Sequence, residues 1–149
     1  MTTVPSYIGA TVAVVAALPA TYNAAGYAAL TWTGIVGLLV QFGTLGDQSA
    51  DIPVTTLAGR ALHTNGALDG GEVPFTYVFS AADAGQVILR AQSNSNTGVS
   101  VRVTDPDGTV QYISGVVANV ADSERADGNF KGQSGVFRVN TAVVRVAAP

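Results

Sequence analysis

The sequence predicts a mainly β protein, with two packed β-sheets in a sandwich or barrel-like arrangement and one flanking α-helix. Val (22 copies) and Thr (15) outnumber the helix-favouring charged residues in this chain of 149, which is the composition of pleated, half-buried surfaces. Apolar and polar residues alternate with a period of two in several runs bounded by turn residues. Only one stretch combines helical spacing of apolar residues with a capping signal.

Taken in order, residues 1–9 form an N-terminal arm and residues 10–17 a first strand. Thr21 to Tyr27 mixes a cap-like Thr and Asn with Gly26, which suits a turn or one helical turn. Strand character returns over residues 30–42 and again, briefly, over 52–57. In residues 73–79, Val73, Phe75, Tyr77 and Phe79 alternate with Pro74, Thr76 and Val78. Between these last two strands, residues 58–72 carry Gly59, Gly66, Gly70 and Gly71 with Arg60, His63, Asn65 and Asp69, and read as a long polar hairpin loop. Loops of this length are uncommon in compact domains unless they have a task.

The helix is expected over residues 81–92, with Ser80 and Asp83 as a capping box and Ala84, Val87, Ile88 and Ala91 as its buried face. It packs on a sheet edge or an open sheet face. Residues 99–103 alternate strictly, and Asp105-Pro106-Asp107-Gly108 has the chemistry of a tight turn leading into a strand over 109–120. Residues 122–133 form a second, charged hairpin loop, and 136–146 a closing strand. Arg138 and Arg145 have opposite parity in that strand, which requires a bulge or a change of facing between them.

Composition bounds the function. The length fits one domain. With 48% hydrophobic and 11% charged residues, the surface carries little charge of its own, as expected where partner subunits cover it. The net charge is −3 and no Lys/Arg cluster exists, so phosphate recognition by a basic patch is not expected. The absence of cysteine excludes disulfides and thiolate metal sites. Residues 8–20 look faintly like a signal-peptide core, but no Lys or Arg precedes them, so no signal peptide is expected. Residues 28–45 are nearly uncharged yet interrupted by Thr, Gln and Gly, which fits a buried strand pair and no membrane insertion.

No residue pattern announces catalysis or a cofactor. His63, the one histidine, lies in the glycine-rich loop with nothing to hold it rigidly. Asp105 and Asp107 have the spacing of calcium ligands, but Pro106 and Gly108 are turn residues and the remaining ligands are missing. Asp122, Glu124 and Asp127 are the densest acidic group, partly neutralised by Arg125 and Lys131, and read as either a solvated hairpin tip or a subunit contact. Trp32 is expected in a core or an interface.

In order and spacing, several stretches resemble the tail tube (major tail) proteins of long-tailed, non-contractile bacteriophages. They are Leu18-Pro19-Ala20-Thr21-Tyr22-Asn23-Ala24-Ala25-Gly26-Tyr27 running on to Leu30-Thr31-Trp32-Thr33, Gly66-Ala67-Leu68-Asp69-Gly70-Gly71, Ala82-Asp83-Ala84-Gly85-Gln86, and Val103-Thr104-Asp105-Pro106-Asp107-Gly108-Thr109 with Gly115. The likeness spans roughly residues 9–146. It implies a virion protein, assembled in the host cytoplasm, whose six copies close into a ring and whose rings stack into the conduit for DNA. Tape measure and tail terminator proteins are the implied partners.

On this resemblance, the loop of residues 57–72 reaches the neighbouring ring, with Leu57, Arg60, Leu62, His63, Asn65, Leu68, Asp69 and Glu72 as contact residues. Arg60 is its one Lys or Arg, so apolar and backbone contacts between rings are expected to outweigh salt bridges. Six copies carry a formal charge of about −18, and Asp122, Glu124 and Asp127 are candidates for a lumen that repels DNA. No immunoglobulin-like decoration domain is expected after Pro149. Two alternatives share the β pattern: the inner tube protein of a contractile tail or related secretion system, and a secreted immunoglobulin-like adhesion module, which lacks its signal peptide here. An enzyme finds no supporting residues.

Overall fold

The computed structural model describes residues 4–35 and 39–148. The fold is mainly β with two sheets and a flanking helix, as the sequence predicts. Its elements are β1 (Thr11–Val15), α1 (Ala24–Ala28), β2 (Thr33–Gly34), β3 (Leu39–Phe42), β4 (Gln48–Thr55), β5 (Ala61–Asp69), β6 (Glu72–Val78), α2 (Ala84–Ala91), β7 (Val99–Thr104), β8 (Val110–Asp122), β9 (Gly132–Val139) and β10 (Val144–Val146). The larger sheet has the order β2-β1-β7-β8-β9-β6-β3, with β10 also on β8; β4 and β5 pair only with each other.

The large sheet is curled by its own connectivity. β2 and β3 lie at opposite ends of the order, yet only residues 35–38 separate them, and the five Cα–Cα steps from Gly34 to Leu39 span at most about 18 Å. The two ends must therefore approach each other. Ile35 and Leu39 indeed line one apolar cavity of about 10 Å³ together with Val12, Phe75, Leu89 and Phe137. The expected strand over residues 30–42 is thus corrected to two short strands on different neighbours, with residues 36–38 outside the described residues.

Period-2 alternation supplies the core. Val99, Val101 and Val103 of β7, Val73, Phe75 and Tyr77 of β6, and Phe137 and Val139 of β9 all point inward with Val12, Val14, Ile113 and Val117. Burying each such side chain stabilises the fold by roughly 1.5–3 kcal/mol. Gly115 is required where β8 meets β9, because a Cβ there would fall 1.9 Å from the Arg138 carbonyl oxygen.

The helix α2 covers this core but is shorter and rotated relative to its expected form. Asp83 is the N-cap, its carboxylate accepting from the Gly85 N–H at 3.1 Å, while the Ser80 N–H donates to Gln86 Oε1 at 2.8 Å. The buried residues are Gly85, Gln86 and Leu89, whereas Val87 is 46% exposed. The apolar spacing Ala84/Val87/Ile88/Ala91 misled because the polar Gln86 is the buried member. Its amide is satisfied at both ends, accepting from Ser80 and donating to the Val78 carbonyl at 2.7 Å. The C-terminal end of α2 is pinned to a bulge in β8: Asn94 and Asn119 both have φ of 59°, and the Asn119 N–H donates to Asn94 Oδ1 at 3.0 Å.

On the other side of β7 and β8, α1 seats the buried Tyr27, with Asn23 as N-cap at 2.8 Å from the Gly26 N–H. The Tyr27 ring stacks on Tyr112 at 5.0 Å, and its hydroxyl shares a hydrogen bond with Ser114 at 2.8 Å. Trp32 joins this cluster, donating Nε1–H to the Tyr27 carbonyl at 3.0 Å with the Arg102 guanidinium 5.4 Å above its ring. The turn over residues 105–108 forms as expected, with the Asp107 carboxylate accepting from the Thr109 N–H at 2.9 Å. The closing strand does not run through: β9 ends at Val139 and β10 starts at Val144 on the other half of β8. The opposite parity of Arg138 and Arg145 thus marks a break between two strands.

Phe137 is 1% exposed at the centre of the core. Phe137→Ala is expected to cost about 3–5 kcal/mol in chemical denaturation, with the unfolding slope unchanged.

Candidate assembly interface

The feature that stands apart from this body is the ribbon of β4 and β5. All eight residues of β4 are exposed, as are eight of the nine in β5, and among the described residues neither strand packs extensively against any element but the other. The segment over residues 57–72 is therefore not the unstructured loop expected from its glycines and polar residues. Residues 61–69 are strand β5, paired with β4, and the turn is confined to the stretch between Thr55 and Ala61. Alternation was illegible there because neither face of the ribbon is buried in the chain, so no apolar face was needed to form it.

The ribbon nevertheless has two different faces. Directly paired residues share a face, and the pairs Val54/Leu62 and Ile52/Thr64 make one of them apolar. Ile52, Val54 and Leu62 are 47%, 56% and 55% exposed. The opposite face is polar: Ser49 Oγ donates to Asn65 Oδ1 at 3.1 Å, and His63 Nδ1 lies 3.0 Å from the Asp51 carboxylate. His63 thus has a cross-strand partner, which corrects the expectation of an unheld loop histidine. Both groups are more than half exposed, so the pair contributes at most about 1 kcal/mol.

The tip turns at Gly59, whose φ of +82° suits glycine, with the Thr56 N–H donating to the Arg60 carbonyl. Leu57 stands fully in solvent there, and Arg60 makes no ion pair among the described residues. At the root, the Asp69 carboxylate accepts from the Gly71 N–H at 2.8 Å, Leu68 is 69% exposed, and Glu72 on β6 pairs with Arg138 at 3.0 Å. The structure therefore assembles all eight expected contact residues along one projection and its foot. The sequence reading missed its other half, Asp51, Ile52 and Val54 on β4. Pro53 between Ile52 and Val54 was the available signal, since proline within a strand points to a free edge.

The second group of expected residues lies elsewhere. β6 runs from Glu72, opposite Arg138, to Val78, opposite Gly132, so the hairpin of residues 123–131 is at the far end of β6 from the ribbon. Asp122 is not a free acid. Its carboxylate accepts from Gln133 Nε2 and from Arg125, both at 2.9 Å. Gln133 in turn accepts from the Tyr77 hydroxyl at 2.6 Å, and Arg90 of α2 reaches the same network. Burial holds the Tyr77 phenol above its ordinary pKa, which keeps it a donor. Glu124 and Asp127 are exposed at the hairpin end. Among the described residues, no group of three or more His, Asp or Glu side chains is arranged to hold a metal.

No protein-family model and no curated protein sequence matches the chain. Solved structures do match its fold. It is similar to a chain of the sheath/tube terminator of an extracellular contractile injection system in its extended state, with a TM-score of 0.62 at 9% identity over 99% of both chains. A chain of the sheath-tube complex of such a system gives 0.59 at 10% identity, over 93% of this chain and 88% of that one. The anti-feeding prophage cap, a tube-terminating cap, gives 0.60 at 9% identity over 99% and 93%. The fold is thus one shared with chains of extracellular contractile injection systems and of the anti-feeding prophage cap.

The Gln133 amide and Arg125 hold the Asp122 carboxyl below its ordinary pKa. A depressed carboxyl contributes stability above its unfolded pKa of about 3.9 and loses it as pH falls through the folded value. The stability difference between the native chain and Asp122→Asn is therefore expected to be constant above about pH 5 and to shrink on acidification below about pH 4. Parallel denaturation curves across that range are the check.

Proposed function

We propose that this chain is a structural subunit of a tail-like particle that works by self-association, building the particle's tube through contacts made by the β4–β5 ribbon. The observation that carries this reading is the ribbon itself. A two-stranded ribbon exposed on both faces is marginal alone in water, and its apolar face gains stability only when something covers it. A second copy of the chain supplies that cover, and a projection from one copy onto the next is a heterologous contact that propagates into rings or filaments.

The full-length similarity in fold to chains from contractile injection systems supports a contractile, tail-like particle over the non-contractile phage tail that the sequence resemblance implies. A role as a cap on the tube is the second reading, favoured by the coverage of 99% of this chain in both the terminator and cap structures. Hexameric rings, a DNA conduit and the lumen role of Glu124 and Asp127 belong to this proposal. The tethered Asp122 suits a structural part in its hairpin.

Electron microscopy of the purified protein at high concentration tests the reading. Tubes support the tube subunit and isolated rings the cap; a monomer throughout contradicts both. Replacing residues 53–63 by Asn-Gly shortens both ribbon strands together and leaves the body's sheet untouched. The shortened protein is expected to keep the native circular dichroism spectrum and to lose long tubes; tubes of normal length would sink the ribbon's assigned role.

A further inference from the structure

The ribbon has two free edges as well as two faces, and the hydrogen-bond parity makes those edges unequal. The Thr56 N–H bonds to the Arg60 carbonyl, so Thr56 and Arg60 point their peptide groups at each other. In an antiparallel ladder such pairs alternate with pairs whose peptide groups point away. Thr55/Ala61 and Pro53/His63 are therefore outward-facing pairs, and Val54/Leu62 and Ile52/Thr64 inward-facing ones. Pro53 has no N–H, so the outer edge of β4 lacks its middle donor, which is one way proteins blunt an edge. The outer edge of β5 has no such block. By the same parity Ala61, His63 and Asn65 each turn an N–H and C=O to that edge, where no strand pairs with β5 among the described residues.

One strand of the body has a matching vacancy. Among the described residues, β10 pairs with β8 on one side and with no strand on the other. At this end of the sheet a groove of about 890 Å³ opens over the face that carries Val12, Val103, Gln111 and Arg145 in register, and residues 6–10, Asp105 and residues 39–45 complete its lining. That volume is within the range of sites that enclose whole ligands, on the order of 300–1,000 Å³. Arg145 makes no ion pair among the described residues, although Asp105 lines the same groove, and the ribbon and its root carry Asp47, Asp51 and Asp69 against Arg60, with Asp51 beside His63.

We propose that the outer edge of β5 in one copy adds as a strand to β10 of a second copy, occupying the groove beside Arg145, while Pro53 keeps the β4 edge from pairing. This rests on the self-association reading above and names the surface that receives the ribbon. Backbone hydrogen bonds then supply the contact, and Pro53 gives it a single direction, since only one edge of the ribbon can add a strand.

Proline at position 63 tests the edge. His63→Pro removes an outward N–H and leaves the β4–β5 ladder intact, as Pro53 does across from it; His63→Ala removes the Asp51 contact but keeps the N–H. The proposal expects both variants to fold with the native spectrum, His63→Ala to assemble like the native chain, and His63→Pro to sediment as unassembled protein. Assembly of His63→Pro at the native level overturns the edge contact while leaving the self-association reading in place. Failure of the native chain to assemble overturns both. Because the chain has no cysteine, mixing His63→Cys with Arg145→Cys under oxidation gives a second readout. A disulfide-linked heterodimer that forms only under assembly conditions supports the groove; assembled particles without it overturn β10 as the receiving strand.

Discussion

Every sheet that ends leaves a row of unpaired peptide groups, and the disposal of those rows is the constraint on which this structure depends. The body meets it only in part: β2 and β3, the ends of a seven-strand path, are drawn together by the short connection between them, while β10 keeps one side without a strand partner among the described residues. The ribbon does not meet it at all. Two strands project with both faces wet, one edge blunted by Pro53 and the other open from Ala61 onward. A chain that spends 17 residues on such a projection has stability to gain from a neighbour, and the proposed self-association follows from that imbalance.

Where burial and pattern coincide, the fold was legible in the sequence. Val99, Val101 and Val103 alternate because β7 has one buried face, and Asp105-Pro106-Asp107-Gly108 turns because its residues have no better conformation. Legibility failed wherever that coincidence failed. The ribbon has no buried face, so β5 looked like a loop. The helix buries Gln86 through specific hydrogen bonds, so its apolar residues indicated the wrong side. The run over residues 30–42 is apolar throughout, and nothing local revealed that it serves two ends of one sheet.

The two groups of residues singled out from sequence have separate fates. Those of the ribbon are collected into one surface with a polar and an apolar side. The acids of the other hairpin lie at the opposite end of β6, and Asp122 is absorbed into a network with Gln133, Tyr77 and Arg90 that ties the hairpin to α2. That network, through Arg90, and the Asn94–Asn119 pairing both fasten the C-terminal end of the helix to the sheet.

A ribbon completed by another copy of the chain gains backbone hydrogen bonds that the free chain lacks. Residue-resolved amide exchange, compared between dilute monomer and assembled particles, measures this directly. The outward amides of Ala61, His63 and Asn65 are expected to exchange freely in the monomer and to become protected on assembly, while those of the core strands are slow in both. Equal exchange of the three amides in the two states, or protection already present in the monomer, would contradict it.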